Sequence, residues 1–552
     1  MKKALLLLSL FICSFLIFGQ TSFVSVKGVM IDNFNAQAGL RKVQFDSKGN
    51  MYVIGYYYDK VDVDMGKDTV DLFNYQDYSF FLAKYDANDN YKWSISFSEG
   101  VTQSGLDFPA MTIDKMDNVY LTGKFISTTD DFDPGPGIKN LTSNGGNDAF
   151  IAKYYPSGKI AWVKNVGGTG DDIGADIKTD EDLNVYVGGT GFGQAFFTKY
   201  DSIGNLLWLK KIGTISNPIY TISVNKKMEL VVGGGFYGTV DFDPGAGVKS
   251  YTATSLNLFL AKYDSLGNYI WANQLKGDFS PELSMGMDTS SNIYITGEVG
   301  STADFDPGAG YGGFANKGSY DVFIAKYNTS GTYTWVKGFG GTATEYGRNI
   351  YVSSKRLHVA GAFGNTVDFD AGTGVKNITA VDNHSGFFVT YDLNGNFVQA
   401  TPIDGSDYET CYGVAESYNG DIVVVGEAPD FSSTLPDFDP GAPVVNLKGS
   451  YYQGIEGFVA RYNVITDVNE ISSTNPFKIF PNPTHDQLHI ESLNQQTVLA
   501  ITIYDVMGRK ILSINKEEMN ETISLTAIKN PGTYFVNIIT KESAFTKALI
   551  IE

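Results

Sequence analysis

The sequence predicts an all-β protein: a seven-bladed β-propeller of four-stranded antiparallel blades over residues 21–463, then a small Ig-like β-sandwich over 477–552. Three observations predict it. Two short sequence markers alternate seven times along the chain. Asp/Asn/Gly turns separate the strands too closely for anything but antiparallel hairpins. Near residue 464 the repeat stops and a different pattern of short alternating strands begins.

Residues 1–20 stand apart from this fold. Lys2 and Lys3 precede an apolar run from Ala4 to Phe18, and Gly19-Gln20 places a small residue near a cut site. That is the layout of a secretory signal, and the run is shorter than the roughly 20 residues of a spanning helix. No later segment reads as transmembrane. Once the signal is removed with Cys13, Cys411 is the one cysteine left and no internal disulfide can form. Stability then rests on a large core, which a chain of 552 residues with 43% hydrophobic content can supply. The formal charge of −20 argues against a nucleic-acid partner, whose phosphates demand Lys/Arg clusters.

The first marker is a strand ending in Lys, Arg or Thr followed by tyrosine, at Tyr85, Tyr154, Tyr200, Tyr263, Tyr327, Tyr391 and Tyr462. The second is a β-branched run ending in glycine, at Gly55, Gly123, Gly189, Gly234, Gly297, Gly361 and Gly426. All five tryptophans, Trp93, Trp162, Trp208, Trp271 and Trp335, follow their unit's tyrosine by the same offset; the sixth unit has Gln399 there. One residue type at one offset fills one repeated packing site, here between neighbouring sheets. Four antiparallel strands repeated seven times describe propeller blades. After Tyr462 the last unit lacks a fourth strand, while "TSFVSVKGV" at 21–29 is spare. The N-terminal strand is therefore expected to complete the last blade, since an unpaired edge is a liability.

The pattern "D-x-x-G-N-x-Y-V-T-G … F-I-A-K-Y-D-S-x-G-N-x-x-W" resembles the seven-bladed β-propeller repeat of exported bacterial proteins, over residues 22–463. Residues 464–476 read as a linker. Beyond it, "PNP" (Pro481, Asn482, Pro483), "Y-D-x-x-G-R" (Gly508, Arg509), "PG-x-Y" (Gly532, Tyr534) and a basic-apolar end resemble, in that order, the type IX secretion sorting domain of Bacteroidota. The resemblance implies that residues 477–552 are recognised by the outer-membrane translocon, and that the propeller is cargo released from the cell or tethered to its surface.

No catalytic signature stands out. There is no HExxH and no Cys/His metal set, no G-x-S-x-G elbow, and "GGTG" at 167–170 reads as a turn. The expectation is a non-enzymatic binding or adhesion module for an extracellular glycan or protein. The alternatives are a polysaccharide-active enzyme using carboxylates of the loop face, and a purely structural surface protein. One motif offers metal ligands, a D-x-D loop between strands two and three of six units. Its pairs are Asp62 with Asp64, Asp131 with Asp133, Asp241 with Asp243, Asp304 with Asp306, Asp368 with Asp370, and Asp437 with Asp439. Hard carboxylate oxygens on a tight turn suit calcium, but a full site takes six to eight oxygens. The same residues also suit a structural turn, with the central aromatic packed inward and the aspartates capping turn amides.

Overall fold

A computed structural model describes residues 21–31, 36–97, 109–125, 130–213, 218–381, 384–405, 408–429, 436–439, 444–447, 454–464, 477–492, 497–505, 510–518, 520–526, 528, 531–540 and 544–551. The expected signal segment, the linker from 465 onward, Gly508 and Arg509 lie outside them. The chain divides into two compact units, Met1–Val464 and Ile465–Glu552.

The first unit is all-β, and its described strands form seven four-stranded antiparallel sets. The first set comprises Gln37–Phe45, Met51–Asp62, Asp71–Tyr85 and Tyr91–Phe97. Sets two, three and six begin at Ala110–Ile113, Ile173–Thr179 and Tyr346–Val352. The fourth and fifth share one long strand, Tyr269–Met287. Its first part pairs with Ser250–Tyr263 as the last strand of set four, and its end pairs with Ile293–Asp304 as the first strand of set five. In the seventh set, Thr410–Glu416, Ile422–Pro429 and Ile455–Val464 are joined by Thr21–Val29, antiparallel from Thr21↔Val464 to Val29↔Gly457.

Local chemistry explains the regularity. In the hairpin between strands one and two, Asp46 Oδ1 accepts the amides of Lys48 and Asn50, and Oδ2 accepts the Asn50 side chain. The same Asp-to-Asn lock recurs at Asp114, Asp180 and Asp288, and between strands three and four at Asp201 and Asp264. The marker segments of strands two and three, such as Met51–Tyr57 and Phe80–Tyr85, are buried, which explains their β-branched and aromatic content. Apolar clusters straddle successive sets: Tyr52, Ile54 and Leu82 pack with Val119, Leu121 and Phe150 of the next.

The tryptophans lie where the sets meet. Trp93 Nε1 donates to the Pro156 carbonyl, Trp162 to Ser202 and Trp208 to Ser265, each in the three-to-four turn of the following set. Glycine in that turn admits the indole: a Cβ at Gly158 would come 2.9 Å from the Trp93 ring. Gln399 breaks the series for a physical reason. The seventh set takes its last strand from the other end of the chain, so it has no such turn to receive an indole. The junction back to the first set uses charge instead: Arg461 pairs with Asp89 at 2.8 Å, and Lys27 donates to the Asp89 carbonyl.

In the second unit, Phe477–Phe480, Gln487–Ser492 and Asn520–Ser524 form one sheet. Val498–Asp505, Lys510–Glu518, Gly532–Thr540 and Ala544–Ile551 form the other. Residues of both sheets, among them Leu488, Ile490, Ile503, Val536 and Leu549, share one buried core.

Candidate functional site: the channel mouth

The D-x-D loops are stitched by their own backbone. Asp241 Oδ1 accepts the amides of Asp243 (3.1 Å) and Lys249 (2.7 Å), and Asp243 Oδ1 accepts that of Gly245 (2.8 Å). The first aspartate of every other loop does the same. Asp62 accepts the amides of Asp64 and Val70, and Asp131 those of Asp133 and Lys139. Asp304 accepts those of Asp306 and Gly312, Asp368 those of Asp370 and Lys376, and Asp437 those of Asp439 and Val445. The second aspartate holds the glycine of the turn: Asp64 accepts the Gly66 amide at 2.7 Å and Asp133 that of Gly135 at 2.9 Å. Asp306 accepts that of Gly308 and Asp370 that of Gly372, both at 2.8 Å.

These bonds give the loop aspartates a structural role. Asp64, Asp133, Asp243, Asp306 and Asp370 each spend Oδ1 on a turn amide, and so do Asp62, Asp131, Asp241, Asp304, Asp368 and Asp437. Each loop, that of Asp437 and Asp439 included, brings two carboxylates together. Among the described residues no three His, Cys, Asp or Glu side chains converge as a metal-binding group. A structural turn accounts for the repetition. The residue between the aspartates (Val63, Phe132, Phe242, Phe305, Phe369 or Phe438) is buried. Its carbonyl accepts the hydroxyl of the unit's marker tyrosine in all six cases, at 2.6–2.9 Å.

The pairing of Gln37 with Tyr58 puts the start of strand one at the same end of the sheet as the loop that leaves strand two. A β-bulge recurs at this end. Strand one skips a residue of its register at Arg41, Ala175, Tyr220, Arg348 and Tyr412, and over 280–282 in the fifth set. A bulge re-aims the extra side chain away from the sheet. Arg41, Ala175, Tyr220, Glu282, Arg348 and Tyr412 all line one cavity of about 630 Å³, which is bounded by the first strands of all seven sets.

The bulged side chains form a charged, aromatic constellation. The Arg41 guanidinium lies 3.6 Å from the Tyr412 ring centroid and pairs with Glu427 at 2.9 Å. Tyr56 and Tyr412 both donate to Glu427, at 2.9 and 3.1 Å. Arg348 stacks on Tyr346 at 4.5 Å, contacts Glu282, and has Glu298 at 3.9 Å. Burial pushes the Glu298 carboxyl up to about 7, outweighing bonds from Ser280 and the Gly347 amide. Burial lowers Lys42, although Asp176 opposes it. On the same end, an open groove of about 870 Å³ between sets four and five is lined by Tyr220, Tyr237, Tyr320 and Lys276. Tyr220 borders both spaces.

None of these residues stands out in the sequence as a site. Two signals could have found them: the residue just after each strand-two glycine, which is Tyr56, Glu298 or Glu427 here, and non-repeated charges inside strand one, such as Arg41 and Arg348.

In the second unit, Asn482 Nδ2 donates to the Ala548 carbonyl and its Oδ1 accepts the Ile550 amide, both at 2.8 Å. Flanked by Pro481 and Pro483, this side chain holds the final strand. Gly532 opens the strand that pairs with Ile551, and Tyr534 is buried in the core.

Fold and motifs together define a β-propeller surface protein exported through type IX secretion. Residues 478–552 match the secretion system C-terminal sorting domain family. A WD repeat-containing protein of Acanthamoeba polyphaga mimivirus, itself uncharacterized, is 24% identical over 419 residues, covering 69% of this chain and 28% of that protein. The chain thus spans under a third of that relative's length. Among solved structures, PorZ, a surface component of the type IX secretion system of Porphyromonas gingivalis, is similar at TM-score 0.33 and 12% identity, over 93% of this chain and 70% of that one. A Dyadobacter fermentans protein of unknown function is similar at TM-score 0.37 and 10% identity, over 80% and 99%. The sorting domain carries the chain to the cell surface or beyond it. Among the described residues no helix is long and apolar enough to cross a membrane.

Proposed function

We propose that the seven sets close into one ring, with Thr21–Val29 completing the last blade, and that the ring is a non-enzymatic binding module for an extracellular glycan. The observation that carries the binding reading is the repeated strand-one bulge, which aims Arg41, Tyr220, Arg348 and Tyr412 into one cavity. Tyrosine faces suit the apolar faces of sugar rings, while guanidiniums and carboxylates suit hydroxyls and acidic substituents. The D-x-D loops leave the sheets at the bulged end, and the short hairpin turns lie at the other end, the usual division between binding and scaffold.

A glycan array probed with the full chain tests this. Binding that falls at least tenfold in Tyr412→Ala and in Arg348→Ala supports it. No hit at any concentration, or hits that both variants retain, overturns it. Glu298 supports a second reading: a carboxyl shifted to about 7 beside Arg348 suits a general acid in polysaccharide cleavage. Release of new sugar ends from a polysaccharide panel, abolished by Glu298→Gln, would establish that reading in place of the first.

A further inference from the structure

A second set of carboxylates lies away from the mouth, at the junctions between sets. In the fifth set, Asp321 opens strand three; in the sixth, Glu345 precedes strand one. The Glu345 amide donates to the Tyr320 carbonyl at 2.8 Å, a parallel link that lays the two segments side by side. Both side chains are buried, at 1% and 0% exposure. One oxygen of each is held by an amide: Asp321 Oδ2 by Lys317 and Glu345 Oε2 by Gly341. The others, Asp321 Oδ1 and Glu345 Oε1, are buried without a hydrogen-bond partner. Gly340 lies between the two groups: a Cβ there would overlap the Asp321 carboxylate and come 2.7 Å from Glu345 Oε2.

The arrangement recurs between the second and third sets. Asp148 and Asp172 are both fully buried, and the Asp172 amide donates to the Asn147 carbonyl. A Cβ at Gly167 would lie 2.8 Å from Asp148 Cγ and 2.9 Å from Asp172 Oδ2. Asp148 Oδ1 has no partner. In this second pair both oxygens of Asp172 already hold amides, Oδ1 that of Phe192 and Oδ2 that of Gly168, so Asp148 Oδ1 is the oxygen left over.

We propose that the Asp321–Glu345 pair, and in the same frame Asp148–Asp172, binds a hard divalent cation of the calcium type. Two buried carboxylates side by side repel unless a cation or a shared proton joins them. Lys317, the positive side chain that bears on both Asp321 and Glu345, is exposed and neutralises them weakly. Two backbone carbonyls border the same segment: a Cβ at Gly318, whose amide also bonds Asp321, would meet the Gly341 and Ala343 oxygens at 2.5 Å. An all-oxygen set of carboxylates and carbonyls is what calcium takes. The proposal is independent of what the mouth binds.

Thermal melting of the full chain at pH 7.5 in chelator and in 2 mM calcium tests it. The expected result is a Tm about 3–5 °C higher with calcium, a rise at least halved in the Asp321→Asn/Glu345→Gln double variant and kept in Asp241→Asn/Asp243→Asn. Terbium gives a readout that does not require the variant to fold. Tyr320 and Tyr346 flank the pair in sequence, so bound terbium should emit under tyrosine excitation and be displaced by calcium. A Tm indifferent to calcium overturns the proposal, as does a rise lost only in the loop variant, or terbium emission that calcium does not compete. A Tm that rises on acidification to pH 5.5 but ignores calcium would show a shared proton in place of the metal.

Discussion

The Tyr263 hydroxyl donates a 2.9 Å hydrogen bond to the carbonyl of Phe242, and that bond joins two of the chain's repeated motifs. The tyrosine ends the third strand; the phenylalanine sits between the two aspartates of the loop before it. Burying the ring fixes the loop's centre, and the aspartates hold the turn amides around it. The acidic pair and the tyrosine are two halves of one packing unit.

Removing the hydroxyl should therefore destabilise without unfolding. Tyr263→Phe leaves the Phe242 carbonyl buried and unpaired, a loss of about 1–3 kcal/mol. Tyr327→Phe removes the equivalent bond to Phe305, and the two losses should add because the sites share no partners. Urea unfolding monitored by fluorescence measures both. A double variant no less stable than either single one would contradict this picture.

The indole junctions allow a cleaner separation of effects. Gly158 has φ +85° and a Cβ there would come 2.9 Å from the Trp93 ring, whereas Gly420 has φ +83° with nothing within 4 Å. Alanine at Gly420 should cost only the backbone penalty, about 1–2 kcal/mol. Alanine at Gly158 should cost more, because it also pushes the next set off the indole. Comparing the two midpoints isolates the junction.

Much of this was legible because a repeat samples one packing site many times. The fixed offset of Trp93 and its equivalents, and the alternation of Tyr and Gly markers, report identical neighbours in successive sheets. What the sequence hid falls into two kinds. A bulge at Arg41 or Tyr412 adds one residue to a strand, and the unrepeated side chain is the one trace it leaves. Asp321 and Glu345 are 24 residues apart and meet only through a parallel link between different sheets. The D-x-D loops drew attention because they recur, and recurrence marked a turn: Asp64, Asp133, Asp306 and Asp370 repeat because each must hold the amide of a glycine two residues on.

The junction between the seventh and first sets gives a third prediction. Arg461 holds Asp89 at 2.8 Å and has Asp421 at 3.5 Å, all three largely buried. Arg461→Met should lower stability by about 2–4 kcal/mol, because two carboxylates lose their partner. Arg461→Lys should recover part of that, as a point charge without the guanidinium fork. Differential scanning calorimetry distinguishes the three chains. Equal melting of wild type and Arg461→Met would mean that the junction is held by the strand pairing alone.

Glu298 sets a pH dependence whose sign can be worked out. Its carboxyl is raised from the ordinary 4.5 to about 7 in the fold. Between those values the folded chain keeps a proton that the unfolded chain has released, so stability from this group is full below 4.5 and falls as pH rises to 7. Glu298→Gln stays neutral throughout and should flatten that part of the stability curve, with its largest relative gain above pH 7. A slope between pH 4.5 and 7 that is identical in the two chains would place the titrating group elsewhere.

The sorting unit can be tested at one side chain. Asn482 gives and takes a hydrogen bond with the last strand, at Ala548 and Ile550, so a motif position that addresses the chain also fastens its end. Asn482→Ala should free the Ile550 amide and speed its hydrogen exchange by about tenfold, the equivalent of about 1.4 kcal/mol for exposed bonds of this kind. The Leu549 amide, whose residue faces Tyr534 across the sheet pairing, should lose far less protection, and peptides from 37–464 should not change. Asn482→Asp keeps an acceptor for Ile550 but loses the donor to Ala548, and should fall between. If Asn482→Ala left exchange at the final strand unchanged, the strand would be held by the sheet alone and the asparagine would be free to serve recognition only.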